Sequence, residues 1–347
     1  MIAAPARRNP LASLARWETL LVVLLVALVV TGTQLSTVFL TGSNFANITS
    51  SVMEVAIMAL PMTLIIITAD IDLSVESMVG LSGAVLGTLM VAGLPLALAI
   101  PVVLVIGALG GLLNGTLVTR AGLPALVVTL GTLALYRGLA NVLLGPTVIS
   151  KWPDWFTEFG FGTVGGGFIP YTLVVFAVLA AIYWVVTHAT WIGRQVFAIG
   201  KNASASRYSG VRVAMTRTRL FVFSGLISAL AGIILAARFS SARNDNGTGM
   251  TLTVVTVVLL GGVDINGGKG SIPGVVLAVF VLALLQNILR LAGVSSEYQG
   301  IAVGLLLILS VIAPQLARQA KGAADRARRG RRPPAGSIAP GEVNATS

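Results

Sequence analysis

The sequence predicts an all-α, polytopic membrane protein of about ten transmembrane helices with both termini on the cytoplasmic side. Three observations predict it. The 347-residue chain is 56% hydrophobic and 10% charged, with mean hydropathy +0.93, too little polar surface to cover a soluble core. Apolar runs recur at lengths that cross a bilayer core of about 30 Å. Basic residues concentrate in alternate connections, as the positive-inside rule requires.

In chain order the runs fall at 18–39, 48–69, 73–92, 94–119, 123–144, 169–187, 216–237, 250–264, 273–292 and 298–316, the eighth being the shortest. The first is long, lacks a small-residue cleavage site and is followed by further spans, so it reads as a retained helix. With the N-terminus inside, eighteen Lys/Arg are cytoplasmic, counting Arg217 and Arg219 in the first turn of the seventh run with the central loop; three lie outside (Lys151, Arg238, Arg243) and two deeper within spans (Arg137, Arg290). The limits rest on apolar run length and not on charge, so this asymmetry tests them independently. The division that follows is a cytoplasmic N-terminal segment 1–17, a transmembrane domain 18–316 and a basic tail 317–347. The tail is Arg, Gly, Pro and small polar residues without periodicity, and is expected to be disordered. The net charge of +11 is a matter of topology and anionic lipid rather than nucleic acid.

A weak internal repeat accompanies this pattern. Ile100-Pro101 opens a span carrying Leu112-Leu113-Asn114, and Ile272-Pro273 opens one carrying Leu284-Leu285-Gln286; each is followed by an Ala-Gly turn, at Ala121-Gly122 and Ala292-Gly293. Spans 2–5 would then correspond to spans 7–10, unless Leu-rich helices match by chance. Gly107, Gly110, Gly111 and Gly115 put small residues on a helix face, which suits close helix packing.

The one long polar stretch inside the apolar chain is the loop 188–215. From His188 to Arg219 there are six Lys/Arg and no acid, so it is cytoplasmic. A short helix there, small residues on one side and Arg on the other, suits docking to a soluble partner.

Intramembrane charges are the next signal, because each is costly in hydrocarbon. Asp70, Asp72 and Glu76 fall within seven residues between two spans. They belong either to a cytoplasmic turn, where Asp72, Ser74 and Ser77 would cap the third span, or to a wet cavity. Arg137 and Arg290 either snorkel to the outer interface or face a pathway. Thr129, Thr132 and Tyr136 on span 5, Asn114 on span 4 and the pair Gln286-Asn287 on span 9 are pathway candidates or interhelical hydrogen-bonding groups.

Catalytic constellations are missing. His188 is the only histidine and sits at the end of a span, and there is no cysteine, which argues against a His-containing metal site, a Cys-based one and a Ser-His-Asp triad. The stretch Gly261 to Ser271 resembles a phosphate loop, but Val263 and Gly270 break the pattern; it reads as a tight turn.

Several ordered motifs together resemble the permease subunits of bacterial ABC importers for ribose-type sugars. They are Ile71-Asp72-Leu73-Ser74-Val75, then Val128-Thr129-Leu130-Gly131-Thr132 with Tyr136-Arg137-Gly138. Gly193-Arg194 through Ile199-Gly200, Ser209-Gly210-Val211, and Gly261-Gly262 with Gly267-Gly268 and Gly270-Ser271 follow. Arg16-Trp17-Glu18, Ala59 to Thr63 and Phe239 to Arg243 are most similar to the rhamnose and autoinducer-2 permeases. The chain departs from the family pattern at Ala69-Asp70 and at Glu76, where glycines are usual.

The resemblance implies a permease without ATPase chemistry of its own, ATP and magnesium being bound on a cytoplasmic ATPase subunit. A second permease chain, identical or a sister, would complete the pathway, and an extracytoplasmic solute-binding protein would deliver a sugar or sugar-like polyol. Gly193, Arg194, Gly200, Asn202, Ser206, Arg207, Ser209 and Gly210 would form the ATPase-coupling loop. The outer segments 145–168 and 237–249 would receive the binding protein, through Lys151, Asp154, Glu158, Arg238, Arg243 and Asp245. The rival reading is an ion-coupled transporter with Asp70, Asp72 and Glu76 as its relay.

Overall fold

The computed structural model describes residues 17–310 and 312. The N-terminal segment up to residue 16, the end of the tenth span and the basic tail lie outside these residues. Among those described, all regular secondary structure is helical. The helices are α1 Trp17–Leu35, α2 Gly42–Ser50, α3 Met53–Ile67, α4 Val75–Val91, α5 Leu96–Thr119, α6 Ala125–Leu144 and α7 Asp154–Phe161. They continue as α8 Tyr171–Ala189, α9 Trp191–Lys201, α10 Ala203–Tyr208, α11 Val213–Phe239, α12 Met250–Leu260, α13 Ile272–Leu291 and α14 Ser296–Ser310.

Each of the ten apolar runs holds one helix. Six helices (α1, α5, α6, α8, α11, α13) are long and apolar enough to cross a membrane, and the pair α2 and α3, bent by 44°, makes a seventh if it is one span. The remaining three, α4, α12 and α14, are shorter apolar helices. The predicted second span is thus a broken element, its polar first part (Gly42–Ser50) capped at Thr41. The eighth run is the shortest here too, with a helix of 11 residues, about 16 Å or half the hydrocarbon core.

Burial orders the bundle from inside out. Every residue of α3 is buried, the signature of a helix apolar all round and placed at the centre. Around it, α11 and α13 are mostly buried, whereas most of α1, α5, α6 and α8 is not. The α5–α11 contact explains the glycine face read from the sequence. A Cβ on Gly107, Gly111 or Gly115 would strike Gly225 and Ala229, Phe221 or Thr218 across the interface, so the two backbones touch along the stripe.

Two stretches are not helical, and both position the site. After α3 the chain runs without helix through Thr68 to Ser74. The first turn of α12 bonds to Leu73 and Glu76, while Gly268, in the turn after α12, donates to the carbonyl of Ile67. The stretch from Ile67 to Leu73 therefore climbs back into the bundle alongside α12. The stretch before α12, 240–249, likewise packs against α4, its Asn244 and Asn246 carbonyls lying over Gly80. Helices α4 and α12, which the sequence repeat aligns, thus both start inside the bundle. The aligned turns Ala121-Gly122 and Ala292-Gly293 both carry the glycine at positive φ, 69° and 73°.

Candidate functional site

Of the acids in the 68–77 stretch, Asp70 and Asp72 are buried in the fold and Glu76 is half-buried. Asp72 is 1% exposed. Its Oδ1 accepts from the Ser74 N–H (3.0 Å) and hydroxyl (2.6 Å), and its Oδ2 from the Ser224 hydroxyl on α11 (2.8 Å). It closes a turn onto Ser74 rather than capping α4 deeper, and Ser74 makes no side-chain cap bond. Asn114 on α5 donates to the Ser74 hydroxyl at 2.8 Å, while its Oδ1 has no partner. Thr129 on α6 donates to the Ile71 carbonyl (3.3 Å) and Tyr136 to the Gly110 carbonyl (2.9 Å). Asp72, Ser74, Asn114, Ser224, Thr129 and Tyr136 thus form one polar interior fed by the 68–74 stretch, α5, α6 and α11. Thr132, one turn on, bonds only its own helix.

Asp70 and Glu76 each meet an arginine from another helix. Asp70 lies 3.0 Å from Arg217 Nε at the start of α11, whose Nη2 also donates to the Thr68 carbonyl. Glu76 accepts from the Thr251 N–H at 3.1 Å, where a carboxylate suits the positive end of α12. Its other oxygen is 3.8 Å from Arg137. Arg137 in turn donates to the Asn244 carbonyl (2.9 Å), and Asn244 donates to Asn141 one turn along α6 (2.9 Å). Arg137 therefore holds the descending 240–249 stretch instead of snorkelling freely.

Span 9 does not join these groups. Asn287 exchanges two amide hydrogen bonds with Asn44 of α2, at 2.9 and 3.2 Å. Gln286 is half-buried and Arg290 is exposed in the last turn of α13. The pathway candidates thus divide into an interior set around Asp72, a half-exposed set around Arg137, and an α13 set tied to α2.

The basic loop folds as the two helices α9 and α10. Thr190 caps α9 through the Ile192 N–H, and Asn202 caps α10 through the Ala205 N–H. Gly193, Val196 and Ile199 are buried at helical spacing, while Arg194, Arg207, Tyr208, Ser209 and Gly210 are exposed. Ser206 is buried and donates to the Asn202 carbonyl at 2.9 Å. Gly210 ends α10 at φ 84°. At Gly193 any Cβ would strike the Thr187 carbonyl, and at Gly200 it would strike the Ile67 carbonyl and Gly268. The glycines thus let this loop sit on the end of α3, where Arg217 and Asp70 meet.

The arrangement is that of a helical bundle with the short basic helices α9 and α10 on one face, and the comparisons name its family. The model of the family described as "branched-chain amino acid transport system / permease component" matches residues 44–311. The chain belongs to this permease family. The permease is 40% identical over 270 residues to the autoinducer 2 import system permease protein LsrD of Yersinia enterocolitica, covering 76% of this chain and 81% of that one. It is 38% identical over 306 residues to the LsrD protein of Enterobacter sp. (strain 638), covering 86% and 93%. No solved structure matches it. The ABC-importer permease read from the motifs is thereby confirmed at the level of the family, and the permease is a multi-pass membrane protein.

Several contacts that build the site carried no recognisable signal in the sequence. Glu54, 1% exposed on α3, is bonded by Arg238 at 2.8 Å. Arg238, expected among the outer docking residues, is thus tied to α3. Trp17 donates to the Leu260 carbonyl and Glu18 accepts from Ser271, tying the start of α1 to the turn after α12. Ser224 and Asn244 look like ordinary helix and loop residues until their partners are known.

Proposed function

We propose that the permease forms the translocation pathway of an ATP-driven importer for a sugar or sugar-like molecule of the autoinducer-2 type. The observation that carries this reading is the seating of α9 and α10, with their glycine-bearing face on α3 and α8 and their basic face exposed. Such a module suits the cleft of a cytoplasmic ATPase, which binds the ATP and magnesium. Movement of α9 would reach the bundle through Ile67, Gly268 and Arg217. The substrate class comes from the LsrD relatives, and amides and charged groups such as Asn141, Asn244, Arg137 and Glu76 suit hydroxyl-rich solutes. A second permease chain, identical or a sister, would close the pathway, and a solute-binding protein would dock on the outer segments.

Ten spans with both termini inside fit the ten helices, the short α4 and α12 counting as spans completed by the non-helical stretches before them. The ion-coupled alternative gains no support from Asp70 and Glu76, since each already has an arginine beside it.

Mild-detergent purification of the tagged permease from its native membrane tests the reading. A stoichiometric ATPase subunit is expected, with solute uptake lost in Arg207→Glu while the chain remains inserted. A lone chain without ATPase, with uptake that collapses on adding an uncoupler, would overturn it.

A further inference from the structure

A cavity of about 320 Å³ lies between α3, α8, α9 and α11, within the range of small-ligand pockets. Its walls are apolar, with Pro61 and Leu64 from α3, Ile182 from α8 and Phe223 and Ile227 from α11. Ile182 and Phe223 are about half exposed, at 51% and 53%, so the cavity opens sideways between α8 and α11. Its one charged side chain and its one amide lie toward the α9 end. There Arg219 on α11 and Trp191 and Gln195 on α9 line it, with Gln195 held by the Thr216 hydroxyl at 3.1 Å. From Arg219 to Ile227 the groove follows α11 for about 12 Å, a little less than one leaflet's hydrocarbon depth of about 15 Å.

We propose that this groove holds an acyl chain of an anionic phospholipid, with the headgroup phosphate at Arg219. An apolar slot of this size gains nothing from water and loses dispersion contacts if left empty, and the surrounding solvent offers acyl chains. Arg219 selects the headgroup. It is exposed and makes no ion pair among the described residues, and the segment from His188 to Arg219 holds six cations and no acid. Trp191, 51% exposed, sits beside it where an indole marks the membrane interface. A second copy of the permease fits less well, because a two-fold contact here would bring two such basic segments together. The leaflet, cytoplasmic, rests on the proposed orientation; the chemistry of the groove does not.

The lipid also occupies a consequential place. It is wedged between α9 and the bundle, so its loss would loosen the seating of the docking helix on α3.

Native mass spectrometry of the full chain, exchanged into nanodiscs of equal phosphatidylglycerol and phosphatidylcholine and then stripped, tests the proposal. One phosphatidylglycerol should be retained in preference to phosphatidylcholine. Arg219→Gln should cut that preference about fivefold, the size expected of one basic side chain near an anionic surface, and Ile182→Trp should expel both lipids. The chain has no cysteine, so Ile182→Cys supplies a second measurement: a bulky maleimide there should displace the lipid even if the Trp variant fails to insert. Equal retention of the two lipids, retention unchanged by Arg219→Gln and by the maleimide, or a disulfide joining two copies of the Ile182→Cys chain in the membrane would each overturn it.

Discussion

At the scale of single residues, the fold sorts its ion pairs by burial. Glu54 and Arg238 meet through two hydrogen bonds, at 2.8 and 3.3 Å, with Glu54 1% exposed. Removing one member of such a pair leaves an uncompensated buried charge, at a cost of about 3–5 kcal/mol. Arg243 and Asp245 form a similar bond with both side chains more than half exposed, where solvent screening leaves about 0–1 kcal/mol. Glu54→Ala should therefore lower the thermal unfolding temperature of the detergent-solubilised permease markedly, and Arg243→Ala should barely move it. Equal shifts would show that burial does not decide the strength of these pairs. Asp70 and Arg217 give a second test. Either charge reversal alone should abolish uptake, and the double exchange Asp70→Arg with Arg217→Asp should recover part of it. Recovery stays incomplete because a carboxylate at position 217 cannot donate to the Thr68 carbonyl as Arg217 does.

At the scale of elements, a glycine's effect depends on what faces it. Replacing glycine inside a helix usually gains about 1 kcal/mol in propensity. At Gly200 the sign reverses, since any Cβ on α9 would strike the Ile67 carbonyl and Gly268. Gly200→Val should uncouple transport, with ATPase turnover retained in the assembled importer and uptake lost. On α6, a Cβ at Gly131 meets nothing within 4 Å, so Gly131→Ala should leave thermal stability unchanged or slightly raised in the purified permease. Gly107, Gly111 and Gly115 were legible as a packing stripe, because small residues at four-residue spacing announce a close helix contact whatever its partner. Their partner α11 was not legible, since a stripe does not encode what lies against it.

At the scale of the whole molecule, topology is open to direct measurement because the native chain lacks cysteine. Tyr208, 94% exposed on α10, should as Tyr208→Cys react with a membrane-impermeant maleimide only from the cytoplasmic side. Trp155, 52% exposed on the helix α7, should as Trp155→Cys react only from outside. Labelling of both from one side would break the ten-span arrangement. Burial falls from α3 at the centre to α1, α5, α6 and α8 at the periphery.

Much of the architecture was legible in the sequence alone: the membrane class, the ten apolar segments, the short eighth one, a short helix in the basic loop and the family. Those follow from hydropathy, charge and motif, properties that each residue carries along the chain whatever it later touches. The tertiary structure decided the partners. It paired Asp70 with Arg217, Glu76 with Arg137 and Glu54 with Arg238, turned Asn287 away from the Asp72 interior towards Asn44, and drew the 68–74 and 240–249 stretches back into the bundle. The Glu54–Arg238 contact spans 184 positions, and no local pattern distinguishes an arginine that will be buried against a glutamate from one that will face a lipid headgroup. That choice depends on which helix surfaces pack together, and it is made only when the bundle closes around α3.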